Sequence, residues 1–180
     1  PGNEARSLLN TNITLNHLKN IEVLSEGASN NSRDAKIYIP KNDLGSASIY
    51  KPEDSNIEYS VFPIKLIALD EIGHLKGQKV SLIKIDAEGA EADVLKGAKK
   101  IITKDRPVIL FEAHGKEKLL EVKSVLDQHG YNNYLEVRQA RRLTPYKLIN
   151  TLIWLFIPNM FFTFPITEKD RNYQLVIASF

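Results

Sequence analysis

Three carboxylates and a glycine follow an apolar run in the middle of the chain. The stretch "KIDAEGAE" places Asp86, Glu88 and Glu91 around Gly89, directly after "VSLI". A carboxylate at the end of an apolar strand is costly unless it is hydrogen-bonded or serves a chemical purpose. A positioned carboxylate can take a proton from a hydroxyl group. We therefore predict that Asp86 and Glu88 belong to a functional site.

A further acid and a histidine follow the next apolar run, "PVILF". Glu112 is expected to be the last residue of that strand, and His114 comes two residues later. Ligands of open α/β sheets bind outside the carboxyl ends of the strands. If the two strands are neighbours, Glu112 and His114 line one crevice with Asp86 and Glu88. His114 is an alternative general base, although a surface loop histidine is an equal alternative. Oxygen ligands could also hold Mg²⁺, but no metal site is predicted.

A purely structural explanation competes for the same acids. Carboxylates near a helix N-terminus are favoured by the helix dipole and by capping. Glu91 stands in the first turn of the following predicted helix and is assigned to that role. Gly89 suits a tight strand-to-helix turn, where a positive φ or a close backbone approach is needed.

The apolar periodicity predicts the elements that must position these groups. Helices are predicted over 3–19, 90–104 and 116–130, and strands over 21–29, 35–40, 61–69, 79–86, 107–111, 131–139 and 173–180. Strands that alternate with helices of this length predict a largely parallel sheet that is covered on both faces.

Composition excludes several classes of protein. The 180 residues suffice for one domain over 1–180, and the net charge of +2 does not favour a nucleic-acid partner. The absence of cysteine excludes disulfides and thiolate metal sites and fits a cytoplasmic location. The sequence has no GxxxxGK[ST], GxGxxG or GxSxG motif, so a P-loop, a dinucleotide fingerprint and a nucleophile elbow are absent.

The segment 138–166 does not fit the alternating pattern. It joins the basic cluster "RQARR" to the uncharged stretch "LINTLIWLFIPNMFFTFPI". One explanation is a connection that packs under the sheet or on a partner. A second is a membrane-surface patch that meets anionic headgroups, and a third is a spanning helix, which prolines and asparagines interrupt.

The stretch 80–115 resembles the signature of the FkbM family of S-adenosylmethionine-dependent methyltransferases. That family shows K-I-D-x-E-G-x-E, then V-L-x-G, then R-P-x-I-L-F-E. The matching residues here are Lys84, Ile85, Asp86, Glu88, Gly89, Glu91, Val94, Leu95, Gly97, Arg106, Pro107, Ile109, Leu110, Phe111 and Glu112. The resemblance extends over roughly 1–137.

The resemblance implies a Rossmann-like class I methyltransferase fold, with a seven-stranded sheet that is parallel but for one strand and has helices on both faces. It implies that the cofactor is held mainly by a first strand with a Gly-rich turn and by an acid that often precedes a proline. Because this sequence begins at Pro1, we expect those elements upstream. The chain is then an N-terminally truncated domain that lacks its first two strands and is inactive alone.

The resemblance also implies roles for individual residues. Asp86, Glu88, Glu112 and His114 become the catalytic candidates, and Ala28, Ser29, Asn30 and Gly89 the candidates for contact with S-adenosylmethionine. The implied reaction is O-methylation of a hydroxyl on a sugar, a glycan or a secondary metabolite. The alternative is a non-catalytic α/β scaffold or interaction module, in which the carboxylates only cap and hydrogen-bond.

Overall fold

The computed structural model describes residues 3–41, 43, 45–51, 57–139, 146, 149, 161–169 and 171–180. The fold is mixed α/β, as predicted. The helices are α1 (Asn3–Leu15), α2 (Glu91–Lys96), α3 (Lys99–Asp105) and α4 (Lys116–Asp127). The strands are β1 (Gly27–Ala28), β2 (Arg33–Pro40), β3 (Tyr59–Ile67), β4 (Leu82–Ile85), β5 (Val108–His114), β6 (Asn133–Gln139), β7 (Phe161–Pro165) and β8 (Asn172–Ser179).

The chain divides into two compact units, the first of which comprises Pro1–Gln78 and Ala87–Lys100. It holds a three-stranded sheet in the order β1-β3-β2, with β3 parallel to β1 and antiparallel to β2. Alternate residues of β2 and β3 face inwards, as expected for strands with one buried face, and form a small apolar cluster of Ile37, Ile39, Ile64 and Leu66.

The second unit comprises Lys79–Asp86 and Ile101–Phe180. Its five-stranded sheet has the order β4-β5-β8-β6-β7. Strand β4 is parallel to β5, whereas β8 runs antiparallel to both β5 and β6, and β7 runs antiparallel to β6. Hence the carboxyl ends of β4, β5 and β6 and the amino end of β8 lie at one edge of this sheet, which we call the carboxyl edge.

Helix α4 covers one face of this sheet. Leu119, Val122 and Leu126 are fully buried at intervals of three and four residues, the spacing that puts side chains on one helix face. They belong to the same core as Phe111 of β5 and Val176 of β8, which are paired across the sheet and also fully buried. The burial of this apolar stripe is what holds α4 in place.

Several predicted elements differ from those observed. Of the strand predicted over 21–29 only Gly27–Ala28 forms; Ile21 and Leu24, which suggested a longer strand, are exposed and lie outside the paired residues. The helix predicted over 90–104 is interrupted after Lys96, where the carbonyl of Gly97 accepts a hydrogen bond from the amide of Asp70 (2.9 Å) instead.

The prediction of a largely parallel sheet is wrong for the second unit, where the β4–β5 pair is parallel and the other three pairs of described strands are antiparallel. Strand β8 lies between β5 and β6 and runs antiparallel to both of them. Strand β4, predicted as a buried strand over 79–86, is short and has exposed side chains at Leu82 and Lys84 because it lies at the end of the described sheet. The single domain predicted over 1–180 stays a prediction.

Candidate active site

The carboxyl ends of β4 and β5 lie side by side, so the two strands are the neighbours that a shared crevice requires. Ile85 is paired with Phe111 in parallel register, so Asp86 and Glu112 each follow directly on a paired residue. Neighbouring strands are about 4.8 Å apart. The structure thus brings Asp86 and Glu112 together at the carboxyl edge, with His114 two residues further along β5.

Asp86 is more exposed than predicted. Its side chain is 47% exposed and forms an ion pair with Lys84 at 3.2 Å. The expectation of a carboxylate held inside an apolar strand is wrong, because β4 ends at Ile85 and Asp86 lies beyond the last strand pair. Asp86 is therefore open to a ligand that approaches the carboxyl edge from solvent.

Glu112 and His114 both lie within β5. The strand extends to His114, which is paired with Asn172 of β8, so Glu112 is not the last residue of the strand and His114 is not a loop residue. As alternate strand residues they point to one face of the sheet, away from the face of the buried Phe111. Glu112 is half-buried and His114 is exposed.

The turn after Asp86 is organised by Glu91. This carboxylate is 1% exposed, and its Oε1 accepts hydrogen bonds from the amides of Ala87 (3.0 Å) and Gly89 (3.1 Å). Glu88 and Gly89 both adopt positive φ angles, 45° and 94°, and the carbonyl of Glu88 accepts a bond from Ser48 Oγ (3.1 Å). The spacing indicated a helix-start carboxylate; the structure shows that Glu91 caps the preceding turn and is the buried acid of the motif.

Glu88 and Gly89 belong to the first compact unit, whereas Asp86, Glu112 and His114 belong to the second. The structure therefore describes two parts of the predicted site, each within its own unit.

The candidates for cofactor contact follow β1 in the first unit. Ala28 is paired with Ile67, and Ser29 is fully buried, with its amide donating to the carbonyl of Ile67 (3.0 Å). Arg33 donates to Ser29 Oγ (3.1 Å) and to Asn30 Oδ1 (2.7 Å). Asn30 is exposed, and because its carbonyl oxygen is already bound, its amide NH₂ remains the group that can donate to a ligand.

A second glycine of the motif has a role that the sequence did not predict. A Cβ atom on Gly97 would lie 1.9 Å from the carbonyl oxygen of Ser29 and 3.3 Å from Cα of Ala68. Gly97 therefore allows the end of α2 to pack directly on the backbone that carries the cofactor candidates. The V-L-x-G motif singled out this glycine, but the motif does not indicate that Gly97 packs against Ser29 and Ala68.

Asp70 also acts at a distance. Its Oδ2 accepts a hydrogen bond from the amide of Lys100 in the first turn of α3 (2.8 Å). It satisfies one of the free amides that every helix start leaves. This explains the acid in "IALDEI" as a cap for a helix thirty residues away in sequence.

Much of the segment 138–166 lies outside the described residues. The part that the structure describes includes Arg138 at the end of β6 and the strand β7, which was not predicted. Within the described residues, no helix has the length and hydropathy needed to cross a membrane. The same residues contain no cluster of three or more histidine or acidic side chains that could hold a metal ion.

Comparisons with known proteins agree with the motif. The sequence profile of the methyltransferase FkbM domain matches residues 2–132. The fold is similar to the crystal structure of methyltransferase FkbM from Methylobacillus flagellatus KT, with a TM-score of 0.56 and 18% sequence identity. That alignment covers 100% of this chain and 35% of the other, so the chain spans about a third of the length of this relative. No protein of curated function matches the sequence significantly. Because the domain profile covers well over half of its residues, the chain belongs to the FkbM family of methyltransferases.

Proposed function

We propose that the chain is part of an S-adenosylmethionine-dependent O-methyltransferase that acts on a hydroxyl of a sugar, a glycan or a secondary metabolite. Family membership supports methyl transfer. The observation that carries the assignment of the site is the pairing of Ile85 with Phe111, which puts Asp86 and Glu112 side by side near the carboxyl ends of β4 and β5. Ligands of α/β sheets bind at such ends.

The residues present fit this cofactor, which supplies an electrophilic methyl group on a positively charged sulfur. Carboxylates such as Asp86 and Glu112 favour a nearby positive charge. In the first unit, the free amide NH₂ of Asn30 suits a ring nitrogen of a base, beside Ala28 and Ser29. A Cβ on Gly89 would meet no atom within 4 Å, so a ligand can approach the backbone there.

The acceptor hydroxyl must lose a proton as its oxygen is methylated. We assign the base, or the group that orients the hydroxyl, to Asp86 or Glu88, with His114 as the alternate base. Asp86 is reachable from solvent because half of its side chain is exposed. A positioned base of this kind contributes about 10²- to 10⁴-fold to the rate, whereas an exposed carboxylate contributes little to stability.

The replacement Asp86→Asn in the full-length protein tests this assignment. We expect turnover of labelled S-adenosylmethionine with an acceptor panel to fall by about 10²-fold or more, with an unchanged melting temperature. Glu121→Gln is the matched control, because Glu121 is an exposed acid that pairs with Lys118 on α4 (2.9 Å) and is not a candidate site residue. It should alter neither quantity.

The scaffold alternative makes the opposite prediction. If Asp86 only supports the fold, Asp86→Asn lowers the melting temperature and leaves turnover unchanged. The sequence contains no Gly-rich turn of the kind that the family uses to hold its cofactor, so we also expect these 180 residues alone to bind S-adenosylmethionine too weakly for calorimetry. Micromolar binding by the isolated chain would contradict that expectation.

A further inference from the structure

A buried acid on β6 holds two arginines at the carboxyl edge. Glu136 is 4% exposed, and its Oε2 accepts hydrogen bonds from Nη2 of Arg138 (2.7 Å) and Nη2 of Arg171 (2.5 Å). Burial by itself would raise the pKa of Glu136, but the hydrogen bonds from Arg138 and Arg171 outweigh it, and the pKa is lowered. Glu136 is thus a carboxylate at neutral pH.

The two guanidinium groups carry more positive charge than the carboxylate of Glu136 can neutralise. One arginine suffices to neutralise Glu136, so the trio carries one net positive charge. The Nε atoms of Arg138 and Arg171 are buried, and no described residue offers either of them a hydrogen-bond acceptor. A buried charged donor without a partner is costly, and such groups in native proteins call for a missing water or ion as an explanation.

Aromatic rings position both guanidinium groups. Arg138 lies 5.3 Å from the ring centroid of Phe164, and Arg171 lies 5.0 Å from that of Tyr173. Cation–π contact and the shared carboxylate restrict the orientations of both side chains. The side chains are nevertheless 25% and 33% exposed, so a ligand from solvent can reach them.

Among the described residues, Glu136 is the carboxylate that pairs with Arg138 and Arg171, and the nearby Lys123 has an acid of its own. Lys123 of α4 lies over the ring of Tyr134, two residues before Glu136, and pairs with Glu168 at 2.5 Å. The hydrogen bond from Lys123 and the charges of Lys123 and Lys116 lower the pKa of Glu168. Glu168 is therefore already paired with a lysine, and among the described carboxylates only Glu136 offsets the charge of the two arginines.

The arginine pair shares its edge with the candidate active site. Arg138 is near the carboxyl end of β6, and Arg171 directly precedes Asn172, which is paired with His114. Strands β5 and β6 are separated only by β8, so β6 lies roughly 10 Å from β5 and 15 Å from β4. Glu136 faces the α4 side, whereas Glu112 and His114 face the other, so a ligand that contacts both groups must cross the end of β8.

We propose that Arg138 and Arg171 bind an oxyanion, and that this oxyanion belongs to the methyl acceptor. Guanidinium groups match the oxygens of phosphate and carboxylate with paired hydrogen bonds. The acceptor is then an anionic compound, such as a phosphorylated sugar or a uronic acid, with its charge roughly 10–15 Å from the methylated hydroxyl. The second half of this proposal rests on the proposed methyl transfer; the oxyanion site does not.

The site is tested with inorganic phosphate on the full-length protein. The Nε–Hε signals of Arg138 and Arg171 in nitrogen-15 spectra should shift saturably, with a dissociation constant on the order of 1 mM, and potassium chloride at equal ionic strength should not reproduce the shift. Arg171→Gln should weaken binding by about 10-fold or more, since a charge-assisted hydrogen bond is lost. Arg171→Lys keeps the positive charge but not the planar guanidinium group, so it should weaken phosphate binding less than Arg171→Gln does.

Arg106→Gln is the matched control for this titration. Arg106 lies over the ring of Phe180 (4.9 Å) next to the amino end of β5, about 20 Å from the carboxyl edge, and its loss should leave the phosphate affinity unchanged. A shift that never saturates, or equal binding by Arg171→Gln and the wild type, overturns the site. Binding to phosphatidylglycerol vesicles without binding to free phosphate also overturns it, in favour of a membrane contact.

Turnover distinguishes the two halves of the proposal. Phosphorylated, carboxylated and neutral sugars are tested as acceptors. For whichever anionic class the wild type methylates, Arg171→Gln should raise KM about 10-fold and leave kcat unchanged. Equal KM values for neutral and anionic acceptors in both proteins would refute the acceptor assignment. If phosphate binds and no acceptor is methylated in any panel, the proposed function fails while the oxyanion site stands.

Discussion

Replacing Gly97 by alanine tests the close contact between the end of α2 and the backbone after β1. The new Cβ would lie 1.9 Å from the carbonyl oxygen of Ser29 and 3.0 Å from its carbonyl carbon. Ordinary contacts need about 3.5 Å, so the two segments would have to separate by about 1.6 Å. The obstacle is backbone and not a side chain that could rotate away.

The cost follows from this geometry. Inserting a methyl group into a packed interior costs about 1–3 kcal/mol, and the rigid neighbour favours the upper end. The Ser29 amide also donates to Ile67 at 3.0 Å, and the Gly97 carbonyl accepts from Asp70 at 2.9 Å, so a shift of either segment weakens these bonds. We expect a loss of about 3 kcal/mol in the free energy of unfolding, or about 6–12 °C in melting temperature for a chain of this size.

Thermal and urea unfolding followed by far-ultraviolet circular dichroism measures this loss. Gly73→Ala is the control, because a Cβ at that exposed position meets no atom within 4 Å and should change the stability by less than about 1 kcal/mol. If Gly97→Ala melts within about 2 °C of the wild type, the close approach is not a constraint and our explanation of the motif glycine is wrong.

Four further changes are expected to be measurable. Glu91→Ala should lower the free energy of unfolding by about 2–4 kcal/mol and speed hydrogen exchange of the Ala87 and Gly89 amides, which donate to this carboxylate. Glu91→Gln keeps an acceptor oxygen and should lower the stability less. Asp70→Ala should cost about 1 kcal/mol by removing the cap on the Lys100 amide, and Asp70→Asn should restore part of it. Because the pKa of Glu136 is lowered from its ordinary value of 4.5 in the folded state, the stability that this carboxylate contributes is present above pH 4.5 and is lost as the pH falls through the lower folded value. Urea titrations of Glu136→Gln should therefore show a smaller loss of stability at acid pH. Burial raises the pKa of Tyr131 from 10.0 to about 12, so the free energy of unfolding should fall as the pH rises from 10 towards 12. Tyrosine ionisation is followed by absorbance at 295 nm. Near pH 10 the wild type should show one ionisation fewer than a mixture of Tyr131→Phe with one equivalent of free tyrosine.

Local pattern was enough for most of the elements. The alternation in β2 and the spacing of Leu119, Val122 and Leu126 in α4 encode a buried face within a few residues, so both were predicted close to their observed bounds. The residues of "KIDAEGAE" and "RPVILFE" also indicated the family and two strands with acids near their ends. These features depend only on residues close together in sequence.

The structure corrected predictions that depended on distant neighbours. Asp86 was expected to be buried and Glu91 to be ordinary, yet Glu91 is the buried acid and Asp86 is half exposed. A carboxylate's burial depends on which backbone amides reach it and on where the sheet ends, and a spacing of residues specifies neither. Strand β7 was missed because its apolar residues sit in a longer apolar run, where periodicity does not distinguish strand from connection.

The sequence by itself determined the periodic faces of most helices and strands, the family, and the presence of acids near the carboxyl ends of β4 and β5. Only the tertiary structure decided the contact of Gly97 with Ser29, and the two arginines on Glu136, one of them thirty-five residues away in sequence. The physical reason is that apolar periodicity is a local property, whereas a close backbone approach or a shared buried carboxylate requires segments far apart in sequence to meet.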